Sequence, residues 1–88
     1  MAWTVKFESR ALRELEKLDR KTQLRIVRFL RERIEGDSDP RATGKALRGE
    51  LGELWRYRVG DFRLICKIED KVLVVLVLRV AHRKDAYR

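Results

Sequence analysis

A single α+β domain of order βααβββ is what this sequence predicts, and three patterns predict it. Trp3-Thr4-Val5-Lys6-Phe7 alternates apolar and polar residues, as a short half-buried strand does. Apolar residues then recur at helical spacing in two segments with almost no loop between them: Ala11, Leu12, Leu15 and Leu18, then Leu24, Val27, Leu30 and Ile34. The remainder reads as three strands, about 53–59, 62–69 and 72–80, punctuated by turns at Gly60-Asp61 and Asp70-Lys71. That order implies a helical hairpin packed on one face of a small, twisted, mainly antiparallel sheet.

Each element has a local reason. Ser9 is placed to cap the first helix and Asp19 the second, and the short link between them makes the pair antiparallel. Lys and Arg crowd their outer faces, where they are solvated. The run from Gly36 to Gly44 holds Asp, Ser, Pro and Thr and is the one clear loop. Lys45 to Gly52 follows as an irregular crossing segment. Val72 to Leu78 is apolar at every position, which marks a central strand covered on both faces. Trp55, Tyr57 and Val59 point toward the helices, and Trp3 and Trp55 serve as core or sheet-edge packing. Arg56, Arg58 and Arg63 then belong to the opposite face.

Composition narrows the class. The 88 residues make one domain, 1–88, which buries only about 60–65% of the surface its unfolded chain exposes. With 44% hydrophobic residues a real core is available, so disorder is not expected. Formal net charge is +8, from 22 Lys and Arg against 14 Asp and Glu, which implies an anionic partner. Residues 45–88 carry 11 basic and 6 acidic side chains against 11 and 8 in residues 1–44, so the second half holds the more one-sided field. Cys66 stands alone in a strand pattern as a small buried thiol, and one Cys with one His makes no metal-ligand set. The seven-residue apolar run is too short to span a bilayer, and the start of the chain has no signal-peptide hydrophobic region. A reducing cytoplasm is therefore expected, with no membrane, no cofactor and no small-molecule ligand.

The chemistry-bearing residues lie in the last third. Strand alternation projects Arg56 and Arg58 from one side, and the Gly60-Asp61 turn brings Arg63 across from Arg58. Convergent guanidinium groups beside the lone His82 and Tyr87 suit a phosphodiester and its pentavalent transition state. The alternative is a solvated basic face on which these arginines pair with Glu53, Asp61 or Glu69. Arg79 either contacts RNA or marks where its strand leaves the core. Tyr87 is a base, a stacking platform or an idle chain end.

Four segments together resemble the RelE/ParE superfamily of toxins, RelE in particular. These are Phe7-Glu8-Ser9-Arg10-Ala11-Leu12, Lys45-Ala46-Leu47-Arg48-Gly49, the run from Trp55 to Leu64, and the run from Val80 to Arg88. The resemblance covers essentially the whole chain. It implies a ribosome-dependent endonuclease that cuts mRNA in the decoding site, with ribosome and RNA as partners and an acidic cognate antitoxin that neutralises it. Carried onto this sequence, the family's paired basic positions fall on Arg56 and Arg58, its third-strand arginine on Arg63, and its C-terminal Arg and Tyr on Arg83 and Tyr87. Both paired positions are Arg here, where Lys also occurs in the family, and Arg83 and Tyr87 stand closer together than in some members.

In that reading Arg56, Arg58, Arg63, Arg83, Tyr87 and His82 are catalytic, and Arg79 and Lys84 bind substrate. Attack of the 2′-OH on phosphorus needs a base, an acid for the leaving 5′ oxygen, and cations for the phosphorane. Tyr87 is the base if neighbouring arginines depress its pKa. His82 is preferred to Arg83 as the acid. Lys21, Arg25, Arg28 and Arg31 on the helices supply non-specific attraction to RNA. Two other functions compete: a ParE-type toxin that inhibits DNA gyrase without a catalytic site, and a basic domain that only binds RNA.

Overall fold

The computed structural model describes residues 2–36, 39–47 and 54–84. Strand β1 (Thr4–Phe7) leads into helices α1 (Ser9–Glu16) and α2 (Arg20–Phe29), and α2 ends in a wide turn, Leu30–Ile34, where the Glu35 N–H donates to the Leu30 carbonyl. A tight helical turn at Pro40–Ala42 precedes β2 (Lys45–Leu47), β3 (Leu54–Val59), β4 (Phe62–Glu69) and β5 (Val74–His82). The strands form one sheet in the order β1-β5-β4-β3-β2, in which only the β1–β5 pair is parallel. The α+β class and the placement of helices against a mainly antiparallel sheet are therefore as the sequence implies.

One side of the sheet makes the core. Tyr57, Leu64, Cys66, Val75 and Val77 are fully buried against Ala11, Leu15, Ile26, Leu30 and Ile34. Each large aliphatic side chain buried this way contributes about 1.5–3 kcal/mol. The helices pack chiefly onto strands, α1 on β5 and α2 on β3, rather than onto each other. Gln23 on α2 joins them by donating from Nε2 to the carbonyls of Leu18 at 2.8 Å and Glu16 at 3.2 Å, which would otherwise lack partners at the end of α1.

Four local expectations need correction. Ser9 is already helical; Glu8 occupies the cap position of α1, and neither Glu8 nor Asp19 caps with its side chain. Lys45–Leu47 is not irregular but a short edge strand paired with β3. The β4–β5 turn runs through Leu73, whose φ of 56° is held by the Thr4 N–H donating to its carbonyl at 2.9 Å, so β5 begins at Val74 and Val72 is exposed. Finally, β5 lies beside the edge strand rather than at the centre, and only one of its faces is fully covered: Val75 and Val77 are buried, while Val74, Leu76 and Leu78 are half-buried.

A bulge in β5 decides what its far end can do. Cys66 pairs with Val77 but Ile65 pairs with Arg79, so Leu78 is the extra residue and the alternation reverses beyond it. Val80 and His82 thereby join Val75 and Val77 on the helix side. Past Val77 the strand has lost its β1 neighbour, and α1 supplies the missing partner. The Glu14 carboxylate accepts from the Val80 N–H at 3.0 Å and from Arg79 Nε at 3.1 and 3.2 Å, closing an edge that would otherwise present an unpaired donor.

Candidate functional site

The site begins with a turn. Val59 pairs with Phe62 across Gly60-Asp61, and Gly60 has a φ of 59° while Asp61 does not take a positive φ, the glycine-first pattern of a tight hairpin turn. This register sets Tyr57 opposite Leu64 in the core and Arg58 directly opposite Arg63 on the outer face. Arg56, two residues back on β3, shares that outer face and pairs with Ile65 on one side and Lys45 on the other. No acidic residue sits directly opposite any of the three arginines within the strand pairings.

A loop arm walls the site. Tyr57, though buried, donates its hydroxyl to the Pro40 carbonyl at 2.6 Å, and Trp55 Nε1 donates to the Thr43 carbonyl at 2.7 Å. Arg41 forks onto Asp70 at 2.8 and 2.9 Å, which holds the Asp70 carboxyl below the usual carboxylate range. That pair is exposed, so it fixes where the arm lies more than it stabilises the fold. Gly44, with a φ of 84°, lies so close to β3 that an added Cβ would strike the Arg56 carbonyl and the rings of Trp55 and Tyr57. The result is a cleft of about 310 Å³ lined by Thr43, Gly44, Lys45, Arg56, Tyr57, Arg58 and Arg63. Burial pushes the Tyr57 hydroxyl well above its ordinary pKa, so it stays a neutral donor and not a base. Burial likewise raises the Cys66 thiol, which is an inert core group.

The other expected residues are distributed differently. Arg83 donates its backbone N–H to the Asp61 carbonyl at 2.7 Å, which brings the end of β5 to the turn between Arg58 and Arg63, and its side chain is exposed, as is that of Lys84. His82 is not brought to the arginines. It pairs with Phe62, stacks edge-on against that ring at 5.4 Å, and accepts the Lys84 N–H on Nδ1 at 3.3 Å, all on the helix side of the sheet. Arg79 is engaged by Glu14, half-buried, rather than presented to a ligand. Tyr87 and Glu53 lie outside the described residues. Among the described residues no group of three or more His, Cys, Asp or Glu is placed to hold a metal, and no helix is long and apolar enough to cross a membrane.

One residue joins the cleft from a segment that reads as irregular, and another reaches the hairpin turn from α2 without lining the cleft. Lys45 faces Arg56 from β2, and Arg25 of α2 reaches the hairpin turn, its Nη1 only 2.9 Å from where a Cβ on Gly60 would stand. Neither contact leaves a trace in spacing, because each depends on how separate elements pack.

Comparison with known proteins places this arrangement in context. A family model described as the ParE toxin of the type II toxin–antitoxin system parDE matches residues 5–87. Toxin RelG of Mycobacterium tuberculosis is 39% identical over 90 residues, covering 100% of this chain and 99% of that protein. The crystal structure of the toxin–antitoxin complex RelBE2 from the same organism superimposes with a TM-score of 0.80 at 35% identity, covering 97% of this chain and 95% of the matched one. An archaeal RelE–RelB complex from Pyrococcus horikoshii gives 0.71 at 27% identity, covering 98% and 100%.

The two glycines of the site make a contrasting pair. Gly60→Ala meets only the flexible tip of Arg25, so its cost is that of a positive φ, about 1–2 kcal/mol. Gly44→Ala carries a similar backbone cost and adds about 1–3 kcal/mol because rigid neighbours must yield. Urea denaturation should show Gly44→Ala as the less stable variant. The Trp55 indole N–H resonance should move in Gly44→Ala and stay in Gly60→Ala; equal behaviour would mean that the arm is not held as described.

Proposed function

This chain belongs to the RelE/ParE superfamily of type II toxins, closest in kind to RelE, and from that premise we propose that it is a ribosome-dependent endoribonuclease that cuts mRNA. The observation that carries the reading is the facing pair Arg58 and Arg63 in a cleft shared with Arg56. Two planar forks on adjacent strands suit the equatorial oxygens of a phosphorane, and charge-assisted bonds of that kind strengthen as the negative charge develops.

In the proposed reaction the 2′-OH attacks the adjacent phosphorus and gives up its proton, the P–O5′ bond breaks, and the leaving O5′ takes a proton from water, so that a 2′,3′-cyclic phosphate and a 5′-OH result. Arg58 and Arg63 hold the non-bridging oxygens while Arg56 adds to the positive charge that the phosphate meets in the cleft. Arg83, anchored at the turn through its backbone, adds a further cation at the leaving-group side. Tyr87 remains the proposed base. His82 takes no part as the acid in this reading, because its ring is turned to Phe62 on the other side of the sheet. A site rich in cations and poor in proton-transfer groups depends on a partner to align its substrate, which is the role proposed for the ribosome.

The family model's ParE description favours a second reading, a toxin that inhibits DNA gyrase. It has no use for opposed arginines in a cleft, and RelG and both superimposed complexes are of Rel type. We propose also that a cognate acidic antitoxin neutralises this chain. RelBE2 and the archaeal RelE–RelB assembly are complexes of that kind, and a net charge of +8 favours an acidic segment.

Arg63→Ala should slow single-turnover cleavage on programmed ribosomes by about a hundredfold or more while remaining folded, and His82→Gln should cut at close to the wild-type rate. Wild-type cleavage by Arg63→Ala, or intact mRNA alongside loss of gyrase supercoiling, would sink the nuclease reading. Co-expression with the acidic protein encoded beside the gene should yield a stable complex. Separate elution of the two at low salt would refute the antitoxin proposal.

A further inference from the structure

Lys45 is a charged residue of the cleft that the proposed chemistry does not use. It sits on β2 directly opposite Arg56, and it lines the same cleft as Arg58 and Arg63. Its position is built rather than incidental. Tyr57 and Trp55 fasten the arm through the Pro40 and Thr43 carbonyls, and the close approach at Gly44 seats the next residue against β3 in a defined register. A lysine on an edge strand commonly serves to block strand pairing with other chains. That service does not call for a place in a cleft shared with Arg58 and Arg63.

Spacing says what Lys45 does there. Arg63 lies two strands across and two residues along from it, about 12 Å away at the backbone. They share a diagonal across β2, β3 and β4, a separation that lets extended side chains serve successive phosphates of one strand. A flexible ammonium is a point charge suited to gripping a phosphate without fixing its geometry, whereas the arginine forks impose geometry.

We propose that Lys45 is a substrate-binding residue that holds a phosphate neighbouring the one gripped by Arg58 and Arg63, so that RNA crosses β2, β3 and β4 obliquely. The inference rests on reading this face as an RNA site. It goes further by naming a contact outside the reacting phosphate and a direction for the strand.

The test uses the full chain and a labelled single-stranded RNA oligonucleotide, with binding followed by fluorescence anisotropy over a range of salt. Losing one phosphate contact should lower the slope of log K against log salt by about 0.7 in Lys45→Gln. Lys71→Gln, which removes the same charge from the β4–β5 turn, is expected to keep the wild-type slope. On programmed ribosomes Lys45→Gln should raise KM about fivefold with the saturating single-turnover rate unchanged, and Lys45→Arg should restore KM. An unchanged slope overturns the proposal, as does the absence of RNA binding by the wild type. A saturating rate as slow as that of Arg63→Ala overturns the flanking role. A lowered slope in a protein that never cuts mRNA upholds the Lys45 contact and defeats the nuclease reading instead, so the two failures are distinguishable.

Discussion

The register of the β3–β4 hairpin is the constraint on which everything else depends. A two-residue turn headed by Gly60 pairs Val59 with Phe62, and from that single pairing the faces of both strands follow. Tyr57 and Leu64 go to the core, and Arg58 and Arg63 go outside. A slip of one residue would drive guanidinium groups into the apolar layer and turn Tyr57 out to water. The core side therefore sets the charged side: burial of Tyr57, Leu64 and Cys66 fixes Arg58 and Arg63 as facing neighbours on the outer face.

Tyr57 links the two sides through its polar end. Its ring packs beside Phe29 at 5.8 Å, and its buried hydroxyl needs an acceptor, which the Pro40 carbonyl provides. Meeting that need draws the 39–47 arm against β3. Trp55 repeats the device two residues away on the same face with Thr43. The cleft wall is thus a consequence of satisfying two aromatic donors, and Gly44 is where the chain must come close enough for both to be met.

Much of this was legible in the sequence because it depends on local alternation. Arg56, Arg58 and the Gly60-Asp61 turn are adjacent in the chain, so their common face and the position of Arg63 follow from a period of two and a tight turn. What was not legible depends on tertiary contact. Three residues are too few for β2 to announce itself, and its pairing rests on a glycine approach that no spacing reports. The bulge at Leu78 is equally silent. Unbroken alternation would put His82 on the opposite side from Val77, with the arginines; the extra residue returns it to Val77's side, beside Phe62. Arg79 is claimed by a glutamate 65 residues earlier, a pairing visible only once α1 lies along the end of β5. The half-buried outer positions of β5 read as a doubly covered strand because hydropathy does not distinguish partial from complete cover.

The proposed chemistry requires Arg58 and Arg63 to act on one phosphate. A double-mutant cycle of Arg58→Ala and Arg63→Ala, read as single-turnover cleavage on programmed ribosomes, tests it most directly. Shared action predicts strong coupling, with the double variant little slower than either single one and an interaction energy above about 1 kcal/mol. Additivity to within about 0.5 kcal/mol would contradict the account and assign the two arginines to separate tasks.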